Sequence, residues 1–232
     1  MLEPARRGVL ITRPAADAAE TAAHVAARGF TPVIAPVLIL HPRTIAPFGP
    51  FDAIVTTSRN AIPALPGRLK ALPLLAVGTA TASRAHDAGF ATVFDAQSDA
   101  AALAALARRQ LDPGAHLLFA HGARQGDALA DALIAAGFAV TRACAYEMTQ
   151  AACLPAAAIA ALETDALAAV LFLSAETAAA FVSLLPPHLR PALAGVAALA
   201  IGHRAADLLA SLPWRHVRVS LKPTLDGVLA LL

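Results

Sequence analysis

Cysteine, aromatic side chains, lysine and long uncharged runs are all scarce in this sequence, and each scarcity removes a class of protein. The two cysteines, Cys144 and Cys153, have no second pair near them, which fits neither a disulfide framework nor a zinc site. One tyrosine, one tryptophan and an aromatic share of 5% leave too few rings to wall a flavin. Lysine is limited to Lys70 and Lys222 among 18 basic residues, and the net charge is only +2. That is too weakly basic for a nucleic-acid footprint, and any bound anion is met by arginine forks. Uncharged stretches such as 151–162 and 191–202 fall short of the roughly 20 apolar residues that a spanning helix needs, so no membrane is expected. The apolar run Val9–Ile11 is too short for the core of a signal peptide, and the expected location is the cytoplasm. Fingerprints for dinucleotides, phosphate loops, zinc proteases and serine elbows are absent.

What the sequence has in abundance is apolar residues, 58% with a mean hydropathy of +0.63. Much of this is alanine spread along the chain. Such a chain offsets its ordering entropy easily and is not disordered; its 232 residues allow two small domains. It also repeats. VLITRP at Val9–Pro14 followed by Gly29-Phe30 returns as LLFAHG at Leu117–Gly122 followed by Gly137-Phe138, at a constant offset of 108. FDAIVTTSRNA returns as LAAVLFLSAETA, with Ser58 matching Ser174, and LLAVGTATA returns as ALAIGHRAA, with Gly78 matching Gly202. The order of blocks is the same in the two copies, which reads as a duplicated α/β unit.

Within each copy, a short apolar run, an alanine-rich run at helical spacing, a glycine and another apolar run follow one another. Runs apolar on both faces, such as Ala53–Val55 and Ala169–Leu173, fit parallel strands covered by helices on both sides. The expected fold is therefore α/β with two similar doubly wound parallel sheets of flavodoxin-like type. Pro36, Pro42, Pro47 and Pro50 crowd one segment, and Thr149–Pro155 occupies the matching place in the second copy; these are the expected linkers.

In an open parallel sheet, ligands bind beyond the carboxyl ends of the strands. There the sequence places Thr12-Arg13, Ser58-Arg59-Asn60, Gly78 with Thr81, His121-Gly122 with Arg124, Ser174, and Gly202-His203-Arg204. Hydroxyls, glycines and helix starts supply donors for an anion. Taken singly, Thr12, Ser58, Thr79 and Ser174 read more readily as helix caps than as ligands. Arginine is harder to explain that way, because Arg59 and Arg204 have no arginine at the matching place in the other copy. Four arginines at four strand ends point to a ligand carrying several carboxylates or phosphates. His121 and His203, with no adjacent carboxylate pair, read more readily as surface or capping residues than as catalysts. Tyr146, expected at the end of a strand Ala139–Ala145, is either an amphipathic edge residue or a hydroxyl aimed into a cleft.

The ordered set VLITRP, the GF helix ends, FDAIVTTSRNA, LLAVGTATA, the AYEMT segment around Tyr146, VLFLSAETA, AIGHRAA and the terminal KPTLDGVLALL resembles the uroporphyrinogen-III synthase family over essentially the whole chain. The resemblance implies two α/β domains joined by a two-stranded connection, here 1–38 with 152–232 and 39–151. It implies a cofactor-free lyase that dehydrates and cyclises hydroxymethylbilane with inversion of the last pyrrole ring, and a catalytic tyrosine at Tyr146. Thr12, Ser58, Asn60, Gly78, Thr81, Ser174, Gly202 and Thr224 match the family's cleft positions, while Ala205 stands where a threonine is usual. The expected partners are the small-molecule substrate and, transiently, the preceding enzyme of the pathway; a monomer is expected. The alternative from another class is a cytoplasmic binding protein or sensor that closes on a polyanion, such as a tetrapyrrole, without chemistry.

Overall fold

The computed structural model describes residues 7–97 and 99–232; residues 1–6, which the sequence reading assigns to the first domain, and Ser98 lie outside the described residues. In chain order the elements are β1 (Gly8–Ile11), α1 (Ala15–Ala27), β2 (Thr31–Ile34), β3 (Leu38–Pro42), β4 (Ala53–Thr56), β5 (Leu74–Ala76), α2 (Thr79–Asp87), β6 (Val93–Asp95), α3 (Ala100–Gln110), β7 (His116–Gly122), α4 (Asp127–Ala135) and β8 (Ala139–Gln150). There follow α5 (Ala156–Glu163), β9 (Leu167–Phe172), α6 (Ala175–Leu184), β10 (Ala197–Ala200), α7 (His203–Leu209), β11 (His216–Val219) and α8 (Leu225–Leu229). Short 3-10 helices occupy Arg59–Ala64, Gly67–Leu69 and Pro187–Gly195.

The chain divides into one compact unit of Met1–Leu40 with Thr149–Leu232 and another of His41–Met148. These breaks fall inside β3 and β8, where the sequence reading set them at 38/39 and 151/152. Unit one holds a five-stranded sheet in the order β11-β10-β9-β1-β2, with every pairing parallel. The second sheet runs β3-β8-β7-β4-β5-β6 and is parallel from β8 to β6. Its edge strand β3 is antiparallel to β8: Ala151 N–H donates to the Val37 carbonyl and Arg43 N–H to the Ala145 carbonyl, so one index falls as the other rises. The chain passes between the units along these two strands. Among the described residues no helix is long and apolar enough to cross a membrane.

Strand alternation explains the core of unit one. Val9 and Ile11 point to the side holding Val25, Leu171, Leu199, Val228 and Leu229, and Leu10 points to the side holding Val170, Phe172, Phe181 and Leu193. Both faces are dry, which is why these strands are apolar without interruption. Trp214 packs its ring 5.8 Å from both Phe172 and Phe181 and donates from Nε1 to the Leu209 carbonyl. In unit two Val55, Leu75, Leu117 and Phe119 pack with Leu103, Leu129 and Leu133 from α3 and α4.

Writing the sheets as β2-β1-β9-β10-β11 and β8-β7-β4-β5-β6 sets β1 against β7, β9 against β4 and β10 against β5. These are the pairs matched by the internal repeat. The duplicated stretch is nonetheless not a folded unit. The first copy gives β1 and β2 to unit one and β4, β5 and β6 to unit two, and the second copy does the reverse.

Candidate functional site

Ligands of doubly wound sheets bind where neighbouring strands send their chains to opposite faces. That point lies between β4 and β7 in unit two and between β1 and β9 in unit one.

In unit two, β7 ends at Gly122 and the chain turns through Ala123-Arg124-Gln125-Gly126 into α4. Ala123 N–H donates to the Tyr146 carbonyl at 2.8 Å and Gln125 N–H to the Gly122 carbonyl at 3.2 Å. Arg142, itself paired with Asp127 at 2.6 Å, donates to the Gln125 carbonyl at 3.1 Å. Gly126 adopts a left-handed φ of +88°, and a Cβ there would stand 2.5 Å from the Phe119 ring; only glycine closes this loop without displacing the core.

The pairing of β7 with β8 shifts register between His121 and Gly122, so that Gly122 faces Tyr146. The phenol ring lies over Gly122, where a Cβ would come within 2.6 Å of Cζ. Gly122 therefore makes room for the tyrosine. In place of a strand ending at Ala145, β8 continues to Gln150 and Tyr146 sits within it, only 4% exposed. Its hydroxyl donates to Gln125 Oε1 at 3.2 Å. Burial pushes the phenol above its ordinary value of 10, a hydrogen bond with the Ser58 side chain opposes the rise, and Cys144 adds to it. The group is thus a neutral proton donor across the physiological range.

Ser58 starts the 3-10 helix Arg59–Ala64, its Oγ accepting the Asn60 N–H at 3.2 Å. Arg59 and Asn60 are half-buried, and Thr81 is buried. The Arg124 side chain is 87% exposed and approaches Glu147 at 3.8 Å, while Arg43 binds the same carboxylate at 2.6 Å. The Arg43 hydrogen bond holds the Glu147 carboxyl below its ordinary range. His121 is buried, with Nδ1 2.8 Å from the Gly122 carbonyl and its ring against Phe119.

In unit one, Thr12 and Arg13 have partners within the chain. The Thr12 hydroxyl is fully buried and donates to the Leu171 carbonyl at 2.7 Å, tying β1 to β9. The Arg13 guanidinium folds back on α1, binding Thr21 Oγ1 at 2.9 Å and Asp17 Oδ2 at 3.2 Å. Ser174 caps α6 by accepting the Thr177 N–H at 3.0 Å, and Thr224 caps α8 by accepting the Gly227 N–H at 3.1 Å. Gly202 heads α7, with His203 and Arg204 exposed beside it. Arg204 lines a shallow groove of about 460 Å³ that Glu176 and Asp207 also line, so its positive field is partly offset.

Gly78 and Gly202 have extended backbones and nothing within 4 Å of an added Cβ. Packing inside the chain does not call for glycine at either place. The residues absent from the sequence reading are Gln125, Arg142, Arg43 and Glu147, the neighbours that hold Tyr146 and its loop. The bracket of Gly122 and Gly126 around Gln125 is the signal that marks a tight turn there.

A family model described as HEM4, uroporphyrinogen-III synthase HemD, matches residues 19–230. Among solved structures, uroporphyrinogen-III synthetase from Helicobacter pylori 26695 is similar at 18% identity and a TM-score of 0.64, with 97% of each chain covered. A mutant uroporphyrinogen III synthase from the extremely thermophilic bacterium Thermus thermophilus is similar at 19% identity and a TM-score of 0.50, over 97% of this chain and 96% of that one. At such identities the likeness establishes the fold. No curated protein matches the sequence.

Proposed function

The chain belongs to the uroporphyrinogen-III synthase family, and we propose that it closes hydroxymethylbilane, a linear tetrapyrrole with eight carboxylates, to uroporphyrinogen III with inversion of the last ring. The observation that carries the reading is the buried Tyr146 phenol beside the switch point of unit two, lying over Gly122 and hydrogen-bonded to Gln125. A neutral phenol within hydrogen-bond reach of the terminal hydroxyl acts as a general acid. It gives its proton to that hydroxyl, which leaves as water, and the resulting azafulvene cation is attacked by the substituted pyrrole carbon. The spiro intermediate reopens and recloses inverted, and the proton released when the ring becomes aromatic returns to the phenolate. No cofactor takes part, and the enzyme is a cyclising hydro-lyase.

The free substrate closes directly to the uninverted isomer, so holding it folded matters more than acid–base chemistry. In unit two, Ser58, Arg59, Asn60, Gly78, Arg124 and the start of the α2 turn that holds Thr81 offer donors to carboxylates. In unit one, Ser174, Gly202, His203, Arg204 and Thr224 do so. The open space beside Gly78 and Gly202 supports close approach of a ligand to the backbone. Thr12 and Arg13 brace strands and helix, and Gly122 accommodates the phenol. The protein works as a cytoplasmic monomer that takes its substrate from the preceding enzyme of the pathway in a transient contact.

Freshly generated hydroxymethylbilane supplied with and without the protein tests the reading through the isomer ratio of the oxidised product. Predominantly isomer III is expected. Isomer I alone, at the uncatalysed rate, would sink the proposal.

A further inference from the structure

Tyr146 has a second neighbour whose part is distinct from acid catalysis. Its hydroxyl oxygen carries one proton and two lone pairs. The proton points to Gln125 Oε1 at 3.2 Å. Gln125 does not wander into this position. Its N–H is held by the Gly122 carbonyl, its own carbonyl takes the Arg142 guanidinium, and Arg142 is anchored on Asp127 at 2.6 Å. The left-handed residues Arg124 and Gly126 on either side fix the turn in which it sits. An exposed glutamine with both backbone groups bound and its side chain against a buried phenol is built to aim that phenol.

We propose that Gln125 is a positioning residue for Tyr146: before substrate arrives its Oε1 accepts the phenolic proton and holds the hydroxyl at the turn, and the proton swings to the substrate's terminal hydroxyl when that group displaces the amide. The inference rests on the acid role proposed for Tyr146 above. Its physical consequence is independent of the substrate. A carboxylate at position 125 accepts the same proton more strongly and sets a negative charge beside a group that would have to become negative. The phenol then ionises at higher pH and parts with its proton less readily.

Tyr146 is the only tyrosine in the chain, so tyrosinate absorbance in the near ultraviolet reads this one hydroxyl. Its titration is compared in the wild type, in Gln125→Glu and in Gln110→Glu, which adds the same charge at the end of α3. Ser58 and Cys144 are the other groups that act on the phenol and are unchanged in all three proteins. Gln125→Glu is expected to raise the midpoint while Gln110→Glu leaves it in place. With hydroxymethylbilane, Gln125→Glu is expected to lower kcat about three- to tenfold, the scale of one hydrogen bond, with KM within about twofold. A midpoint equal to that of Gln110→Glu overturns the proposal. So does a raised midpoint with unchanged kcat. Failure of the acid role looks different: the wild type itself yields no isomer III, while the titration still reports whether Gln125 touches the phenol.

Discussion

At the scale of the residue, the proposed chemistry concentrates on one buried hydroxyl. Replacing Tyr146 by phenylalanine keeps the ring that Gly122 accommodates and removes only the hydroxyl with its hydrogen bond to Gln125, so the fold is expected to be retained and kcat to fall. General acids contribute about 10²–10⁴-fold, so the rate is expected to fall about a hundredfold or more, and because folding of the substrate carries much of the selectivity, isomer III remains the main product. An unchanged turnover number for the variant would remove the hydroxyl from the reaction. The pH dependence has a definite sign. Burial raises the folded phenol above the value of 10 that it has when exposed, so the acid stays protonated and kcat keeps its acid form up to and beyond pH 10. The same shift stabilises the fold below pH 10, and that contribution is lost as pH rises from 10 through the raised value. Alkaline unfolding followed in wild type and Tyr146→Phe should diverge only in that window.

At the scale of the element, rim hydroxyls have two tasks that can be separated. Ser174 Oγ accepts the Thr177 N–H, and alanine there costs about 1 kcal/mol of stability through the lost cap. Aspartate keeps the acceptor and places a negative charge at the positive end of α6, which preserves or raises stability. If the rim also meets a carboxylate of the substrate, Ser174→Asp raises KM several-fold at low salt and less at high salt. A KM equal to wild type at both ionic strengths would leave Ser174 as a cap alone. Elements of this kind were largely legible in the residues. Gly29-Phe30 and Gly137-Phe138 end α1 and α4, each glycine at positive φ and each phenylalanine N–H reaching back to the helix, at Val25 and Leu133; Gly89-Phe90 ends α2 in the same way. Other features depend on partners far along the chain. β8 runs on through Tyr146 because β7 and β3 both pair with it, and nothing local marks that extension. The segment after Ser58 forms a 3-10 helix with Pro63 inside it, where its counterpart after Ser174 is an α-helix. Arg13 and Asp17 stand at the spacing of a helical ion pair, a signal of their contact that is present in the sequence.

At the scale of the whole molecule, the sequence repeat and the folded unit are different divisions of the chain. Similarity within the sequence divides it near residue 116, whereas compactness assigns His41–Met148 to one unit. A half-chain of residues 1–115 holds β1 and β2 without β9, the strand that β1 pairs with inside its sheet, and β4 without β7. Each of its two partial sheets then exposes an edge of buried apolar strands to water. Residues 41–148, in contrast, contain β4 to β7 complete and β8 up to Met148, with the core of Val55, Leu75, Leu117 and Phe119 and its helices α3 and α4. The ends of this segment are neighbours, since β3 and β8 pair antiparallel where the chain enters and leaves, and such termini suit excision. The segment 41–148 is therefore expected to unfold cooperatively in urea, with an m-value of about 1–2 kcal/mol per M for its size. The longer half-chain 1–115 is expected to show no cooperative transition. Cooperative unfolding of 1–115 together with a disordered 41–148 would mean that the repeat, and not the compact unit, is what folds.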